Sequence, residues 1–400
     1  MVSQYDLSAG AKRLEKVEPS LIRTILDRAS VLRSEGKPII PFSAGEPDFN
    51  TPSDIKEAAI RAITNNRTKY DSNRGYLPLR RVLQGYIQGE TGVDYDPETE
   101  ILVTSSAAEA LNNSIMAFVD EGDEVIVLTP AFVSYKSLVH LCRAKFVDVP
   151  LDAEGGFQVD IDAVKAAVTD KTKMLVLNSP SNPTGAVFSQ ESLAALCRLA
   201  VEHNFLILSD EIYSRLVYDG AQFHSIASFP GMRERAIIVS GFSKTFAMTG
   251  WRLGYIAADH KLLGHILRVH QYSTTCSPTF IQAALAEAME SPQTKKQVTE
   301  MLNAFASRRK LIMRLLDEIP ALSYSKPFGA FYIMVDVSKL GMTSMEFSMK
   351  LLEEEYVATV PAVGLDEHTG KYVRFSYATS EENIKEGLRR VKQMVEGLGR

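Results

Sequence analysis

The chain has 400 residues, 45% hydrophobic and 23% charged, a balance that supports a large buried core and excludes a disulfide-held mini-domain. Its 44 Lys and Arg against 49 Asp and Glu leave a net charge of −5, which argues against a general nucleic-acid or anionic-membrane binder. Three scattered cysteines with no C-x-x-C pair, and seven histidines with no H-E-x-x-H spacing, give no reason to expect a metal site.

In chain order, Pro19 to Ser34 reads as a helix, followed by an extended segment from Pro38 to Phe42 that runs into Ser43-Ala44-Gly45-Glu46-Pro47. Thr51-Pro52-Ser53-Asp54 has the form of a helix start, with Thr51 as N-cap, Pro52 at the first helical position and an acid in the first turn. Ile55, Ala58, Ala59, Ala62 and Ile63 supply its apolar face. Six short apolar runs follow, at Ile101–Val103, Val125–Leu128, Met174–Leu177, Phe205–Leu208, Ala236–Val239 and Gly254–Ala257. Continuous rather than alternating hydrophobicity predicts strands covered on both faces, as in a mostly parallel sheet. Helices are predicted from Asp160 to Val168 and from Gln190 to His203. Lys261 to Glu318 is predominantly helical, with breaks near Thr275–Pro278 and Ser291-Pro292. Strands near Phe331–Val335 and Tyr372–Ser376, then a last helix with Thr379 to Glu382 as its capping box, predict a smaller α+β unit built from both ends of the chain.

Ligands of an open parallel sheet gather at the carboxyl ends of its strands. Ile101–Val103 leads into Thr104-Ser105-Ser106-Ala107-Ala108-Glu109, small residues opening a helix whose free N–H groups suit a phosphate; an ordinary strand-to-helix turn reads the same way. After Leu177 comes Asn178-Ser179-Pro180-Ser181-Asn182-Pro183, two amides in a turn stiffened by prolines, or simply a Pro-rich turn. Phe205–Ser209 ends at Asp210-Glu211-Ile212-Tyr213, where the carboxylate is a site group or a cap. Ser240 leads into Gly241-Phe242-Ser243-Lys244-Thr245-Phe246. Small and apolar flanks there would lower a lysine pKa and keep the amine nucleophilic, whereas a lone lysine is usually a solvated surface charge.

Together these stretches resemble the class I aminotransferases of the pyridoxal-phosphate-dependent fold-type I superfamily, of the aspartate and aromatic kind. The landmarks, in order, are Ser43 to Phe49, Lys69-Tyr70 with Gly75 and Leu79-Arg80, Asn178 to Gly185, Ser209 to Tyr213, Lys244 to Gly254, Gly329 to Tyr332 and Val373 to Tyr377. They run from about Pro19 to the C-terminus. The resemblance implies an α/β fold: a three-layer large domain over 48–290 with a mostly parallel mixed seven-stranded sheet, and a smaller α+β domain from 1–47 and 291–400.

It also implies roles. Lys244 forms the internal aldimine with pyridoxal 5′-phosphate and then carries the proton between Cα and the cofactor. Asp210 pairs with the pyridine nitrogen, keeping it protonated so that the ring accepts electrons. Asn182 and Tyr213 hydrogen-bond the ring 3′-oxygen, and Phe132 stacks on the ring. Arg252, Ser106, Ser243 and the backbone of Ala107 and Ala108 hold the phosphate end, joined by Tyr70 from a neighbouring subunit in a homodimer. Arg374 clamps the substrate α-carboxylate, helped by Asn178 and the backbone at Gly45. Three positions depart from the family pattern. Gly241 stands where many relatives carry a phosphate-contacting serine, and Pro361 to Leu365 differs from the usual Pro-Gly-x-x-Phe. Ala108 replaces a lysine that an aspartate-using subgroup directs at a second carboxylate, leaving Arg23 as an alternative cation.

The expected activity is ping-pong amino transfer between an amino acid and a 2-oxo acid, with no nucleic-acid or membrane partner. The alternative is a lyase or oxidase using the same scaffold. A cofactor-binding regulator is the reading from another class, disfavoured by the negative charge and the presence of Lys244, Asp210 and Arg374. The N-terminal Met-Val-Ser-Gln-Tyr-Asp lacks a basic stretch before an apolar core and no apolar run nears the ~20 residues of a membrane span, so a cytoplasmic location is expected.

Overall fold

Each apolar run becomes a strand because its alternate residues enter two different cores. The structure, a computed structural model, describes residues 10–17, 21–365 and 369–398; Pro19, the expected start of the first helix, lies outside them. In chain order α1 (Leu21–Ser34), β1 (Ile40–Pro41), α2 (Ser53–Thr64) and α3 (Leu77–Thr91) precede β2 (Ile101–Thr104). Then come α4 (Ala107–Phe118), β3 (Glu124–Thr129), α5 (Ser134–Leu141), β4 (Lys145–Pro150), α6 (Ile161–Ala167) and β5 (Thr172–Asn178). They are followed by α7 (Gln190–Glu202), β6 (Leu206–Asp210), β7 (Ala236–Gly241) and β8 (Gly254–Ala258). The remainder is α8 (His260–Ser273), α9 (Thr279–Ala288), α10 (Pro292–Leu316), β9 (Ser323–Ser325), β10 (Tyr332–Asp336), α11 (Ser344–Glu355), β11 (Val357–Ala358), β12 (Val360–Pro361), β13 (Tyr372–Ser376) and α12 (Glu381–Leu398).

Seven strands form one sheet in the order β2-β8-β7-β6-β5-β3-β4. All neighbours are parallel except β8, which runs antiparallel to both β2 and β7. On one face Val103, Ile126, Leu175, Ile207 and Ile238 pack with α2, α3, α7 and α9; on the other Leu102, Val127, Val176, Leu208 and Val239 pack with α4, α5 and α8. The sheet is thus the middle of three layers, as expected from its two-sided hydrophobicity. A second, antiparallel sheet, β12-β13-β10-β9, packs its core against α10, α11 and α12. Two joins bring the sheets together: Ser376 N donates to Phe42 O at 2.7 Å, and the segment after β6 sends Tyr213 and Leu216 into the second core.

Three local readings need correction. Helix α2 begins at Ser53 with Pro52 at its cap, because the Thr51 hydroxyl is turned away to donate to Ala247 O at 2.8 Å. The last helix is capped by Ser380, whose Oγ accepts from Asn383 N, while Thr379 Oγ1 accepts from the Asn383 side chain. The strand β4 has no counterpart among the six apolar runs, since it pairs only with β3 at the sheet edge and alternates toward solvent.

Gly241 and Gly254 face each other across β7 and β8. A Cβ on Gly254 would stand 2.5 Å from Ala107 N and 3.0 Å from Ser240 O, and one on Gly241 only 3.0 Å from Gly254 Cα. That close approach explains the glycine at 241 and presses the start of α4 against β8. Gly254→Ala should therefore lower stability by about 1–3 kcal/mol, the usual range for overpacking, read as a lower urea midpoint. Gly264→Ala, where nothing lies within 4 Å, serves as the control that should not fall; equal behaviour of the two would contradict the packing assignment.

Candidate active site

The carboxyl ends of β5, β6 and β7 deliver Asn178, Asp210 and, three residues past Gly241, Lys244 to one crevice. Asp210 is buried at 5% exposure. Its Oδ2 accepts from Tyr135 Oη at 2.8 Å and its Oδ1 from Ile212 N at 3.2 Å. Burial pushes the carboxyl up to about 6, against the pull of those two donors and of the Lys244 charge. The site thereby holds a carboxylate short of solvation and suited to a cationic partner.

Lys244 Nζ donates to Gly45 O at 2.6 Å. Burial brings its amine down from 10.5 to about 8; Arg374 and Arg252 push the same way, opposed by Glu46 and Asp210. Glu46 is itself held by Thr249 Oγ1 at 2.7 Å. The chain segment carrying Gly45 and Glu46 is thus clasped to the lysine loop from both sides.

Arg374 reaches in from β13. Its Nη1 donates to Asn182 Oδ1 at 2.9 Å and its Nη2 to Ser43 O at 3.1 Å, while Nε is buried without a partner. The Asn182 amide is thereby oriented with its oxygen toward Arg374 and its NH₂ free to donate elsewhere. Asn178 stands otherwise than expected. Its Nδ2 donates to Asp210 O at 2.8 Å and its Oδ1 accepts from Asn182 N at 2.7 Å, so it braces the two strand ends instead of facing a carboxylate.

At the other end of the crevice Ser106 takes φ 92° and caps α4 without a side-chain hydrogen bond, leaving the first N–H groups of Ala107 and Ala108 open to an anion. Arg252, also at positive φ, donates to Thr249 O at 2.9 Å; Ser243 is buried beside it. Behind the turn, the Glu109 carboxylate gathers Ser105 N, Asn113 Nδ2, Thr274 Oγ1 and the buried His270 Nδ1. Burial would raise that carboxyl, and the hydrogen bonds from His270, Ser105 and Thr274 more than reverse it. Phe132 is half-buried and meets Tyr135 edge-on with centroids 5.8 Å apart. Tyr70 stands apart, its side chain 86% exposed, and Arg23 is exposed on α1.

Two phenols were missed from the sequence. Tyr135 lies three residues after Phe132, helical spacing that shares a face, and it grips Asp210. Tyr332 sits within the landmark Gly329 to Tyr332 and meets Tyr213, Oη to Oη, at 3.0 Å. One amine, one buried acid, an uncapped helix start beside an arginine, and an aromatic face match, in turn, an aldehyde, a pyridine nitrogen, a phosphate and a planar ring. Pyridoxal phosphate carries all four features, and the unpartnered Arg374 Nε leaves a donor for a substrate carboxylate.

The sequence matches the family described as aminotransferase class I and II over residues 37–391. It is 41% identical over 387 residues to an aspartate aminotransferase of Pyrococcus abyssi, covering 97% of this chain and 98% of that one. Identity to aromatic-amino-acid aminotransferase 2 of Thermococcus litoralis is also 41%, covering 96% and 97%. Among solved structures, the aspartate aminotransferase of Thermus thermophilus with maleate superposes with a TM-score of 0.91 at 39% identity, covering 96% of this chain and 99% of that one.

The crowding around Lys244 has a measurable consequence. In cofactor-free protein whose lysines carry ¹³C-methyl groups, the Lys244 resonance should titrate near pH 8. A midpoint at the ordinary lysine value would show that burial does not act on this amine.

Proposed function

The chain belongs to the family of class I and II aminotransferases and uses pyridoxal phosphate, and from that premise we propose how its residues divide the transfer of an amino group from an amino acid to a 2-oxo acid. The observation that carries the proposal is the convergence of Lys244, Asp210 and Arg374, from three different strand ends, on one crevice. Elimination or oxidation on the same scaffold is not favoured, because the relatives aligned over nearly the whole chain are aminotransferases.

Arg374 takes the substrate α-carboxylate through its guanidinium, which Asn182 and Ser43 O hold in plane. That contact fixes Cα toward Lys244. With its pKa near 8, roughly a quarter of this amine is neutral at pH 7.5, against about one part in a thousand for an ordinary lysine. Nζ can therefore accept the Cα proton and return it on the same face. Pyridoxal phosphate supplies an aldehyde that holds the amino group and a pyridinium ring that takes up the electron pair left at Cα. Asp210 keeps the proton on the ring nitrogen, and the cation there stabilises the carboxylate that burial destabilises when it is alone. Tyr213 and the free NH₂ of Asn182 donate to the ring oxygen, and Phe132 covers the ring. The amides of Ala107 and Ala108, with Ser106, Ser243 and Arg252, hold the phosphate.

The working unit is a homodimer in this reading. It is supported by the exposure of Tyr70, Tyr272 and Met116, and Tyr70 completes the partner's phosphate site. The large domain spans 48–290 and the small one 1–47 and 291–400, so that Arg374 and Lys244 lie on opposite sides of a cleft able to close. A cytoplasmic location fits three free cysteines, and no helix among the described residues is long and apolar enough to cross a membrane. The names of the relatives make aspartate and the aromatic amino acids the first donors to try, with 2-oxoglutarate as acceptor.

In that assay Lys244→Ala should lower turnover by at least ~10³-fold while the purified protein keeps its urea midpoint. Arg374→Ala should reduce kcat/KM for the amino donor about 10–150-fold, the worth of lost hydrogen bonds to a charged group. Full activity in either variant would remove that residue from its role.

A further inference from the structure

Tyr332 has no part in the division of labour above, although it lies at its centre. It opens β10 of the small sheet, is 1% exposed, and touches the large sheet's machinery through Tyr213, with Oη atoms 3.0 Å apart and rings edge-on at 5.9 Å and 81°. The guanidinium carbon of Arg374 stands 4.4 Å from its ring centroid. A single phenol thus touches both the expected carboxylate clamp and the expected partner of the ring oxygen.

A phenol has one proton to give. Because Tyr213 directs its proton at the cofactor's ring oxygen in the proposed reading, its own oxygen is left to accept, and the hydroxyl pair has only one polarity: Tyr332 donates and Tyr213 receives. A donor polarised in this way is a stronger donor in turn, the more so where water is excluded. We propose that Tyr332 is a positioning residue that acts through Tyr213, donating to its hydroxyl to strengthen the hydrogen bond onto the ring oxygen while its ring supports Arg374. This inference rests on the role given to Tyr213.

Its signature is spectroscopic. A donor on the ring oxygen draws negative charge away from the nitrogen beside it, so that nitrogen loses its proton at a lower pH. The titratable and charged groups around Tyr213 are Asp210 and Tyr135 on the large-sheet side, Lys244 with Nζ 6.0 Å from its ring centroid, and Arg374 and Tyr332 from the small sheet. Tyr332→Phe changes none of the charges and keeps the ring under Arg374.

The test is the pH titration of the bound cofactor's visible absorbance in the holoenzyme, for Y332F, Y213F and the double variant. Y332F should raise the midpoint by about half a pH unit, Y213F should raise it further, and adding Y332F to Y213F should change nothing more. An unmoved midpoint in Y332F, or a shift that persists in the Y213F background, would overturn the relay. An unmoved midpoint in Y213F would instead overturn the role of Tyr213, and the relay with it.

Discussion

A carboxylate held away from water at the end of a parallel strand is the constraint on which the site depends. Asp210 is placed there by β6, whose neighbours β5 and β7 cover it on both sides, and it is held by Tyr135 and Ile212 N. Left alone it is destabilised by burial, and its carboxyl rises to about 6. A cation on the facing ring removes that penalty, so the same burial that strains the acid makes it a strong partner. The scaffold around it is correspondingly over-determined: Asn178 ties its carbonyl to Asn182, and Glu211 is anchored underneath by Ser209, Ser225 and Ile226.

The two sheets contribute opposite halves of the chemistry. The large sheet supplies the acid, the amine and the helix start, whereas the small sheet supplies Arg374 and Tyr332. They communicate through short contacts: Arg374 with Asn182, Tyr332 with Tyr213, and the segment Ser43 to Glu46, which touches Arg374 at one end and Lys244 and Thr249 at the other. Removing water from such a crevice strengthens every charge interaction inside it. Substrate recognition and amine activation are for that reason linked physically, since the charge of Arg374 is one of the influences that lower the Lys244 amine.

Much of this was legible in the chain. Strands covered on both faces announce themselves as unbroken apolar runs, and the six found this way occupy the sheet. The edge strand β4 escaped because Lys145 and Asp148 break its hydrophobicity on the side that needs no cover. Caps were less legible, since Thr51 and Ser380 compete with neighbours for backbone groups that only the tertiary fold decides. At the site, the main charged groups were found from the strand ends. The hydroxyls that tune them, on Tyr135 and Tyr332, carry no local pattern of their own, and the amide of Asn178 was assigned to substrate when the backbone claims it. Residues that act through other residues are the hardest to read in one dimension.

Everything in this scheme turns on which amine meets the cofactor. Reduction of the holoenzyme with borohydride, followed by proteolysis and peptide mass analysis, addresses that directly. A pyridoxyl phosphate adduct on the peptide bearing Lys244, and absence of the adduct in Lys244→Ala, is the predicted result. An adduct on any other lysine, or none on a protein that retains turnover, would contradict it.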